Sequence, residues 1–389
     1  MSDKLELFWK NFNNYLNNND IDSDYILELK ELKTAKDTII LDTLLEYIII
    51  NHPLMGSKFE DIKDNNNNLK KYEVLMADDI LNDKFINMFF DNRLDLFTFL
   101  TCPELGLSAS INLSYMHINN IKRHIQLNNN NARYTINISE IELLSDTFIE
   151  YMLKNKHLNR FIEIEILESY IDFANKKVLK NVKILHSNGF KIILDDFGDN
   201  YSNIDRIEEL QNIENEVTNS KKPIINSIKI DGTMLISLLL EKDFFNTTIF
   251  KDSFSKKHMG DIMVHFKNYK SRLKLKDYEC KLFNMDMDEI FKDINSYDDF
   301  INFFSPYIDK MQKYERKLIS ENKLVPATTK LNKVLELYEG GELEIIFEFI
   351  NLSVIKEYIY ECLTDKVSCE RIYMQGYLYG CSTRNILAE

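Results

Sequence analysis

The sequence predicts an α/β fold built around a mainly parallel β-sheet. Short β-like runs alternate with helical segments along most of the 389 residues, and strands and helices in alternation form parallel sheets. Hydrophobic residues make up 44% of the chain and aromatic residues 12%, which suits a large buried core and lies outside the composition of disordered proteins. Glycine, with 10 residues, and proline, with 5, are scarce, so flexible glycine-rich and proline-rich architectures are excluded.

The first elements along the chain are expected to be helices. Leu5, Phe8 and Phe12 recur at helical spacing, and Ile26 and Leu29 continue a similar apolar face. Such periodicity indicates amphipathic helices that each cover part of a core. The sequence therefore predicts a helical extension before the first strand.

The β-like runs that follow are short and rich in Ile, Val, Tyr and Phe, as is typical of strands. They are YIII (47–50), KYEVLM (71–76), YTINI (134–138), FIEIEIL (161–167), FKIIL (190–194), INSIKI (225–230), LEIIF (343–347) and RIYM (371–374). Helices are expected between them. Val178, Val182 and Leu185, for example, form an apolar stripe that ends before Gly189, where glycine suits a left-handed helix cap.

One long stretch interrupts this alternation. From Leu240 to about Lys323 the sequence is amphipathic, aromatic and rich in Lys and Asp, and it lacks β-like runs. A connection of this length is unusual as an unstructured loop. The predicted organisation is an N-terminal helical extension at 1–45 and an α/β domain at 46–389, interrupted by a helical insertion at about 241–323.

Polar side chains fall within or directly after most of the predicted strands. They are Glu73, Asn137, Glu165, Asp195, Asp196, Lys229, Glu348 and Gln375. In a (β/α)8 barrel the C-terminal ends of the strands converge on one face, so residues that are remote in sequence meet there. The sequence therefore predicts a TIM-like (β/α)8 barrel with a candidate active site at this face.

The residue types in this set indicate metal chemistry. Several carboxylates would repel one another without cations, whereas Mg²⁺ and Mn²⁺ prefer oxygen ligands. Two ions roughly 3.5–4 Å apart would activate water and stabilise the attacking and leaving oxygens in phosphodiester hydrolysis. The adjacent Asp195 and Asp196 can bridge or divide two ions, and Lys229 can orient water or neutralise charge on phosphate. The expected cofactors are two Mg²⁺ or Mn²⁺ ions.

These positions also resemble the motifs of EAL-domain cyclic di-GMP phosphodiesterases, in the same order along the chain. In the first half, the matching segments are Glu73-Val74-Leu75 for EAL, Asn137 for NxS, Glu165-Ile166-Leu167-Glu168-Ser169 for ExTES, and Asp195-Asp196-Phe197-Gly198 for DDFG. In the second half, they are Lys229-Ile230-Asp231 for KID, Glu348 for the first acid of EGVE, and Gln375-Gly376-Tyr377 for QGY. The resemblance implies a barrel of EAL type, spanning about residues 46 to 389 apart from the insertion.

The same resemblance implies a role for each residue type in opening cyclic di-GMP to the linear dinucleotide, in bacterial second-messenger signalling. The implied ligands of one metal are Glu73, Asn137, Glu165 and Asp195, and Asp195 and Asp196 would serve the second. Implied catalytic residues are Glu348, which completes the metal and water site, Lys229, which holds the attacking water, and Glu168, which anchors a loop beginning at Phe197. Implied substrate or support residues are Gln375, Leu75 and Asp231.

One departure from the family keeps other functions open. The family's arginine two positions after the EAL motif, which grips a substrate phosphate, is Ala77 here, so a bidentate anion clamp is absent. The alternative function is a catalytically weak or inactive EAL-like module that binds cyclic di-GMP or a protein partner. A third alternative keeps the metals and changes the phosphodiester substrate.

Charge and cysteine content restrict partners and compartment. With 48 Lys and Arg against 62 Asp and Glu, the formal charge is −14, which argues against a general binder of DNA or another polyanion. No apolar run approaches the roughly 20 residues that span a bilayer, and no export signal is recognisable. Five cysteines without a CxxC pair favour a reducing cytoplasm. Besides cyclic di-GMP, the expected partners are a second copy of the chain or a protein bound through the extension or insertion.

Overall fold

The structure is a computed structural model of the chain. The residues it describes are 10, 41–43, 45–46, 49–50, 56–64, 66–76, 100, 108–128, 131–167, 175–197, 224–255, 262, 293–338, 343–348, 350, 353–363, 368–376 and 383–387.

The centre of the molecule is a closed β-barrel. Its strands are β1 (Gly56–Lys63), β2 (Leu69–Met76), β3 (Arg133–Ile138), β4 (Ile162–Leu167), β5 (Lys191–Phe197), β6 (Ile225–Ile230), β7 (Glu344–Phe347), β8 (Ile372–Gln375) and β9 (Thr383–Leu387). The sheet order is β2-β3-β4-β5-β6-β7-β8-β1-β9, and a further pairing of β1 with β2 closes the ring of β1 to β8. The predicted TIM-like barrel is confirmed.

The described helices surround this barrel. They are α1 (Ala109–Asn128), α2 (Glu140–Leu144), α3 (Asp146–Lys154), α4 (Lys176–Ser187), α5 (Gly232–Glu241), α6 (Thr248–Ser253), α7 (Tyr297–Ser320), α8 (Ala327–Leu337) and α9 (Ser353–Leu363). As predicted from its apolar stripe, α4 ends just before Gly189, which has a φ of +89°. A left-handed residue at this position lets the last turn close its hydrogen bonds.

Strand direction differs from a regular (β/α)8 barrel at one place. Strands β2 to β8 pair in parallel, but β1 runs antiparallel to both β2 and β8. Neither β1 nor β9, which is also antiparallel to β1, was among the predicted strands. The barrel therefore contains a hairpin where the sequence suggested only strand–helix alternation.

Asn66, Asn67 and Asn68 lie in the turn of this hairpin. The carboxylate of Asp64 accepts hydrogen bonds from the backbone N–H groups of Asn66 and Asn68, at 2.8 and 2.9 Å. Asn67 takes a left-handed conformation with φ of 62°, which asparagine tolerates better than most residues. The connection between the two strands is therefore a tight turn.

The strand predicted at 47–50 is wrong at its last two residues, which are the ones that the structure describes. Ile49 and Ile50 are helical, and Leu41, Leu45 and Ile49 are all buried. Their spacing of four residues places them on one helical face. A short run of isoleucines fits both the helical and the strand pattern, so the sequence alone does not distinguish the two. The helix is favoured because it buries Leu41, Leu45 and Ile49 on one face.

Alternation along the strands divides the buried residues into two sets. Outward residues such as Ile164 and Leu194 pack in the main core with helix residues such as Val182. Inward residues form a separate apolar cluster of Ile62, Ile193, Ile346 and Tyr373. Because successive side chains of a strand point to opposite faces, this small cluster fills the middle of the barrel and separates its two polar ends.

The end at the strand N-termini holds a network of ion pairs. Lys71 is fully buried, and its Nζ lies 2.7 Å from Glu163 Oε2 and 2.5 Å from Glu344 Oε2. Arg133 contacts the same two acids, and Lys191 lies 3.1 Å from Glu344 Oε1. These contacts connect β2, β3, β4, β5 and β7 across the barrel, so every buried charge in the network has a partner.

In the stretch predicted to be an insertion, the described residues include α6 and α7. Helix α7 packs on α5: Gln312 Nε2 donates to the carbonyl of Leu240 at 2.9 Å, and Ser237 donates to Glu315. Phe300 stacks on Phe304 within the main core. The assignment of 241–323 as an insertion, like the boundary at residue 45, stays a prediction.

Candidate active site

The polar residues predicted at strand ends meet inside the barrel at the carboxyl end of its parallel strands. Glu73, Asn137, Glu165, Asp195, Lys229 and Gln375 lie on β2, β3, β4, β5, β6 and β8, and Glu348 directly follows β7. The register of the parallel strands places these residues at similar heights along the barrel axis. Asn137 is opposite Glu165, and Leu167 is opposite Asp195. Residues from seven strands are thus brought together by barrel closure.

Lys229 is the centre of the site. Its Nζ lies 2.8 Å from Glu348 Oε1, 3.2 Å from Asp195 Oδ1 and 3.4 Å from Glu73 Oε1, and it also contacts Glu165. Only 1% of its side chain is exposed. Burial acts to lower the pKa of Lys229, but the surrounding carboxylates outweigh burial and raise it. The side chain therefore carries a fixed positive charge.

Two side-chain amides donate hydrogen bonds to Glu73. Gln375 Nε2 donates to Glu73 Oε2, and Asn137 Nδ2 donates to Glu73 Oε1 at 3.3 Å. Burial acts to raise the pKa of Glu73, but Lys229 and the amide hydrogen bonds together lower it. Glu73 is therefore held as a carboxylate in a set orientation.

Two adjacent aspartates, Asp195 and Asp196, lie near the C-terminal end of β5. Carboxylate oxygens of Asp195, Asp196 and Glu348 all lie within 4.8 Å of one another. In a regular strand, neighbours would point to opposite faces. Here the pairing of β5 with β6 is irregular between Leu194 and Phe197, and Asp196 has a φ of 53°. This bulge turns both carboxylates towards the site, and bulges commonly redirect side chains next to active sites.

Glu60 is a further acid at this site that the sequence analysis missed. It lies on β1 opposite Glu73 in the antiparallel pair, and Gln375 donates a hydrogen bond to Glu73. Burial, followed by the charge of Glu73, raises the pKa of Glu60. The available signal was the hairpin: acids at similar distances on either side of an asparagine-rich turn face each other when the strands pair.

Negative charge exceeds positive charge among these residues. Six carboxyl groups lie around one ammonium: those of Glu60, Glu73, Glu165, Asp195, Asp196 and Glu348. Burial raises the pKa values of Glu165, Asp195 and Glu348 despite the opposing effect of Lys229, and neighbouring acids raise them further. A group of this kind is stabilised by additional cations.

The unsatisfied atoms of the site match that requirement. Among the described residues, Glu165 Oε2 and Gln375 Oε1 are buried without a hydrogen-bond partner, and Glu165 Oε1 and Asp195 Oδ1 have only their ionic contact with Lys229. All are oxygen acceptors, so a hard cation fits them better than another acceptor does. The donor set therefore fits Mg²⁺ or Mn²⁺.

The remaining predicted residues lie at the edge of the site or beyond the described residues. Leu75 is half-buried on the inward face of β2. Asp231 caps α5, because its carboxylate accepts from Met234 N at 2.8 Å and Thr233 Oγ1 at 2.6 Å. Its assignment to substrate support stays a prediction. Glu168 and Ala77 lie outside the described residues.

Comparison with known proteins agrees with this architecture. The EAL domain family model matches residues 91–214, a segment that includes Asn137, Glu165, Asp195 and Asp196. A comparison with curated proteins finds no match. Among the described helices, none is both long enough and apolar enough to cross a membrane.

Several solved structures are similar to the chain. The EAL enzyme Bd1971 in its cGMP-bound form is 13% identical, with 93% of this chain and 74% of that chain covered and a TM-score of 0.50. The FimX EAL domain from Pseudomonas aeruginosa bound to c-di-GMP is 13% identical, covering 90% and 97%, with a TM-score of 0.46. An EAL domain protein from Listeria monocytogenes EGD-e is 14% identical, covering 87% and 93%, with a TM-score of 0.40.

These similarities have different weights. At such low identity, the Bd1971 structure supports the fold alone. The family match adds the segment that contains Asn137, Glu165, Asp195 and Asp196. The structure places these residues with Glu73, Lys229, Glu348 and Gln375 at one mouth of the barrel. The chain is therefore similar to the EAL-domain family over residues 91–214 and has the fold of an EAL barrel.

Proposed function

We propose that this protein is a metal-dependent phosphodiesterase that opens cyclic di-GMP to the linear dinucleotide in the bacterial cytoplasm. The observation that carries the proposal is the buried contact of Lys229 with Glu73, Glu165, Asp195 and Glu348 at the carboxyl end of the barrel strands. Fixed opposite charges in a buried site stabilise the charge that develops on a reacting phosphate and its nucleophile. The choice of cyclic di-GMP rests on the resemblance of the strand-end residues to the EAL motifs and on the family match at 91–214.

The carboxylates divide into two groups that would hold two Mg²⁺ or Mn²⁺ ions. Glu73, Asn137 and Glu165 would hold one ion together with Asp195. Asp195 and Asp196 would hold the second, with Glu348 completing the site, and oxygens of these three acids already lie within 4.8 Å of one another. When bound, such ions lower the pKa of water and stabilise charge on phosphate oxygens.

The side chains around these ligands orient the reaction. Lys229 would donate hydrogen bonds to the attacking water or to phosphate oxygens, and the carboxylates around it keep it positively charged despite its burial. Gln375 and Asn137 hold Glu73 in one orientation, as residues behind a ligand commonly do. Glu168 would anchor the loop after β5.

A second function is favoured by a specific sequence feature. Ala77 stands where the family has its phosphate-gripping arginine, so the chain lacks one charge-assisted clamp on the substrate. A protein that binds cyclic di-GMP and does not hydrolyse it would keep the barrel and act through a partner. A homodimer, or a protein bound through the N-terminal extension or the insertion, would then carry the signal.

A turnover experiment separates these functions. The full chain is incubated with cyclic di-GMP and Mg²⁺, Mn²⁺ or EDTA, and the products are separated by chromatography. We expect the linear dinucleotide with metal and none with EDTA. Glu73→Gln should abolish turnover, whereas Glu150→Gln, at a side chain that is 69% exposed, should not.

Other outcomes would replace the proposal. Binding of cyclic di-GMP by calorimetry without any product would establish the receptor function. If the chain neither binds nor cleaves cyclic di-GMP but cleaves a generic phosphodiester with Mn²⁺, the substrate assignment is wrong and the metal chemistry stands. Turnover by Glu73→Gln at the parental rate would contradict the ligand assignment.

A further inference from the structure

A pocket lies on the outer side of β7, behind the candidate active site. Helices α5, α8 and α9 form its walls, and Phe347 lies at its floor. Since Ile346 and Glu348 point into the barrel, the Phe347 side chain points outwards. A volume of about 80 Å³ in the pocket is open to the centres of water-sized molecules, several times the roughly 10–15 Å³ that a single water needs.

The walls of the pocket are mainly apolar. Leu238, Leu331, Ile359 and Leu363 contribute aliphatic side chains from three different helices. Helices packed on a barrel normally interdigitate without voids of this size. An apolar molecule in the pocket would therefore gain contacts that the chain's own side chains leave unmade.

Polar residues also line the pocket, and they are Lys242, Thr328, Asn332, Tyr358 and Cys362. The Tyr358 hydroxyl donates to the carbonyl of Lys242 at 3.2 Å, and its ring packs against Phe244. Cys362, one turn further along α9, is exposed. The pKa of Tyr358 is raised by burial and by Cys362, with Glu361 and Asp243 adding to the shift, so the phenol stays neutral.

Charges of both signs lie near the mouth, so their effects on a charged ligand partly cancel and the cost of burying its charge decides. The Lys242 side chain lines the pocket itself and would repel a cation. Asp243 and Glu361 act on Tyr358 with negative charge and would repel an anion. Burying a charge in an apolar pocket without a close counterion is also costly.

We propose that this pocket binds a small uncharged molecule with an aliphatic or aromatic body and one hydrogen-bonding group, the body lying against Phe347 and the polar group lying at the Tyr358 and Lys242 mouth. The site is separate from the strand-end carboxylates, so the proposal holds whether or not the chain hydrolyses a dinucleotide.

Cys362 provides a direct test because it lines the pocket and is exposed. The intact chain is treated with iodoacetamide, and the alkylation rate of the Cys362 peptide is measured by mass spectrometry with octanol, octanoate or octylammonium present. With octanol at about ten times its dissociation constant, mass action predicts alkylation roughly tenfold slower. Equal concentrations of the two charged probes should leave the rate within about twofold of the untreated chain.

A variant that fills the pocket supplies the control. Leu238→Trp projects a larger side chain from a partly buried wall position, and Leu127→Trp makes the same change at a residue that is 74% exposed. Octanol should protect Cys362 in Leu127→Trp and not in Leu238→Trp. If Leu238→Trp does not fold, Leu331→Phe serves as the filling variant.

Two results would overturn the proposal. One is an unchanged Cys362 alkylation rate with octanol, together with no heat of binding in calorimetry on the parental chain. The other is equal protection by all three probes, or protection that persists in the filled variants, because either result would place the effect outside this pocket.

Discussion

Asp195 and Asp196 are adjacent on β5, yet both place carboxylate oxygens within 4.8 Å of Glu348. The left-handed backbone at Asp196, with φ of 53°, makes this possible, at a strain of roughly 1–3 kcal/mol for a residue other than glycine. The geometry of the proposed metal site therefore depends on a conformation that the chain would avoid elsewhere.

Two substitutions at Asp196 separate charge from strain. Asp196→Gly and Asp196→Ala remove the same carboxylate, so both should weaken Mn²⁺ binding in calorimetry. Glycine adopts positive φ without a steric penalty, so the glycine variant should be more stable than the alanine variant by about 1 kcal/mol in urea unfolding. Equal stabilities would show that the backbone at this position is not strained.

Lys229 and Lys71 are buried lysines at opposite ends of the barrel, and replacing each by Met should have different consequences. Each substitution leaves buried carboxylates without their cation, at a cost of about 3–5 kcal/mol. Saturating Mn²⁺ should restore most of the free energy of unfolding that Lys229→Met loses, because a bound metal ion supplies the missing positive charge. Lys71→Met should gain no more from Mn²⁺ than the parental chain does.

Unfolding in urea, with Mn²⁺ and with EDTA, measures both variants. If Mn²⁺ restores neither variant, or restores both equally, the acids around Lys229 do not form the metal site.

Ala77→Arg restores the family's phosphate clamp. If the rest of the pocket is EAL-like, cyclic di-GMP should bind more tightly, because a charge-assisted hydrogen bond contributes about 1.5–3 kcal/mol. Calorimetry with Ca²⁺ in place of Mg²⁺ measures affinity apart from turnover. Ala77→Lys is the comparison for charge without the bidentate geometry. Unchanged affinity in both variants would mean that phosphate is held by other groups.

His117 should make the stability of the protein depend on pH. It is buried beneath β1, where Ser57 Oγ lies 2.7 Å from its Nδ1, and burial lowers its pKa from 6.5 to about 4. At pH values between about 4 and 6.5, His117 binds a proton in the unfolded chain but not in the folded chain. The contribution of His117 to the free energy of unfolding is therefore complete above pH 6.5. It falls as the pH drops towards 4, by about 3 kcal/mol in all.

His117→Gln should remove this part of the pH dependence, and His157→Gln, at an exposed residue, should keep it. Urea unfolding of the three proteins at several pH values measures the effect. The same slope in all three would show that His117 does not stay neutral in the fold.

Gly189 should resist substitution by alanine. A Cβ at this position would lie 2.5 Å from Asn159 Nδ2, and the backbone φ is +89°. Strain and clash together should cost about 1–3 kcal/mol in Gly189→Ala. Asn159→Ala should relieve the clash and leave the backbone strain, so the double variant should cost less than the sum of the single changes. Simple additivity would assign the whole cost to backbone strain.

Local patterns in the sequence were enough for most of the parallel strands and for the strand-end residues. Strand periodicity is set by the alternation of neighbouring side chains, so runs such as 134–138 and 225–230 fall within one residue of the observed strands. Barrel topology then brings their polar ends to one mouth, which explains why Glu73, Lys229 and Glu348 could be grouped before any contact was known.

Tertiary structure decided what depends on contacts between distant residues. The antiparallel pairing that sets Glu60 opposite Glu73, the ion pairs of Lys71 with Glu163 and Glu344, and the helical state of Ile49 all arise when separate segments pack. Register and closure are set by contacts across the sheet. The sequence by itself determined which residues could form the site, and barrel closure decided which of them touch.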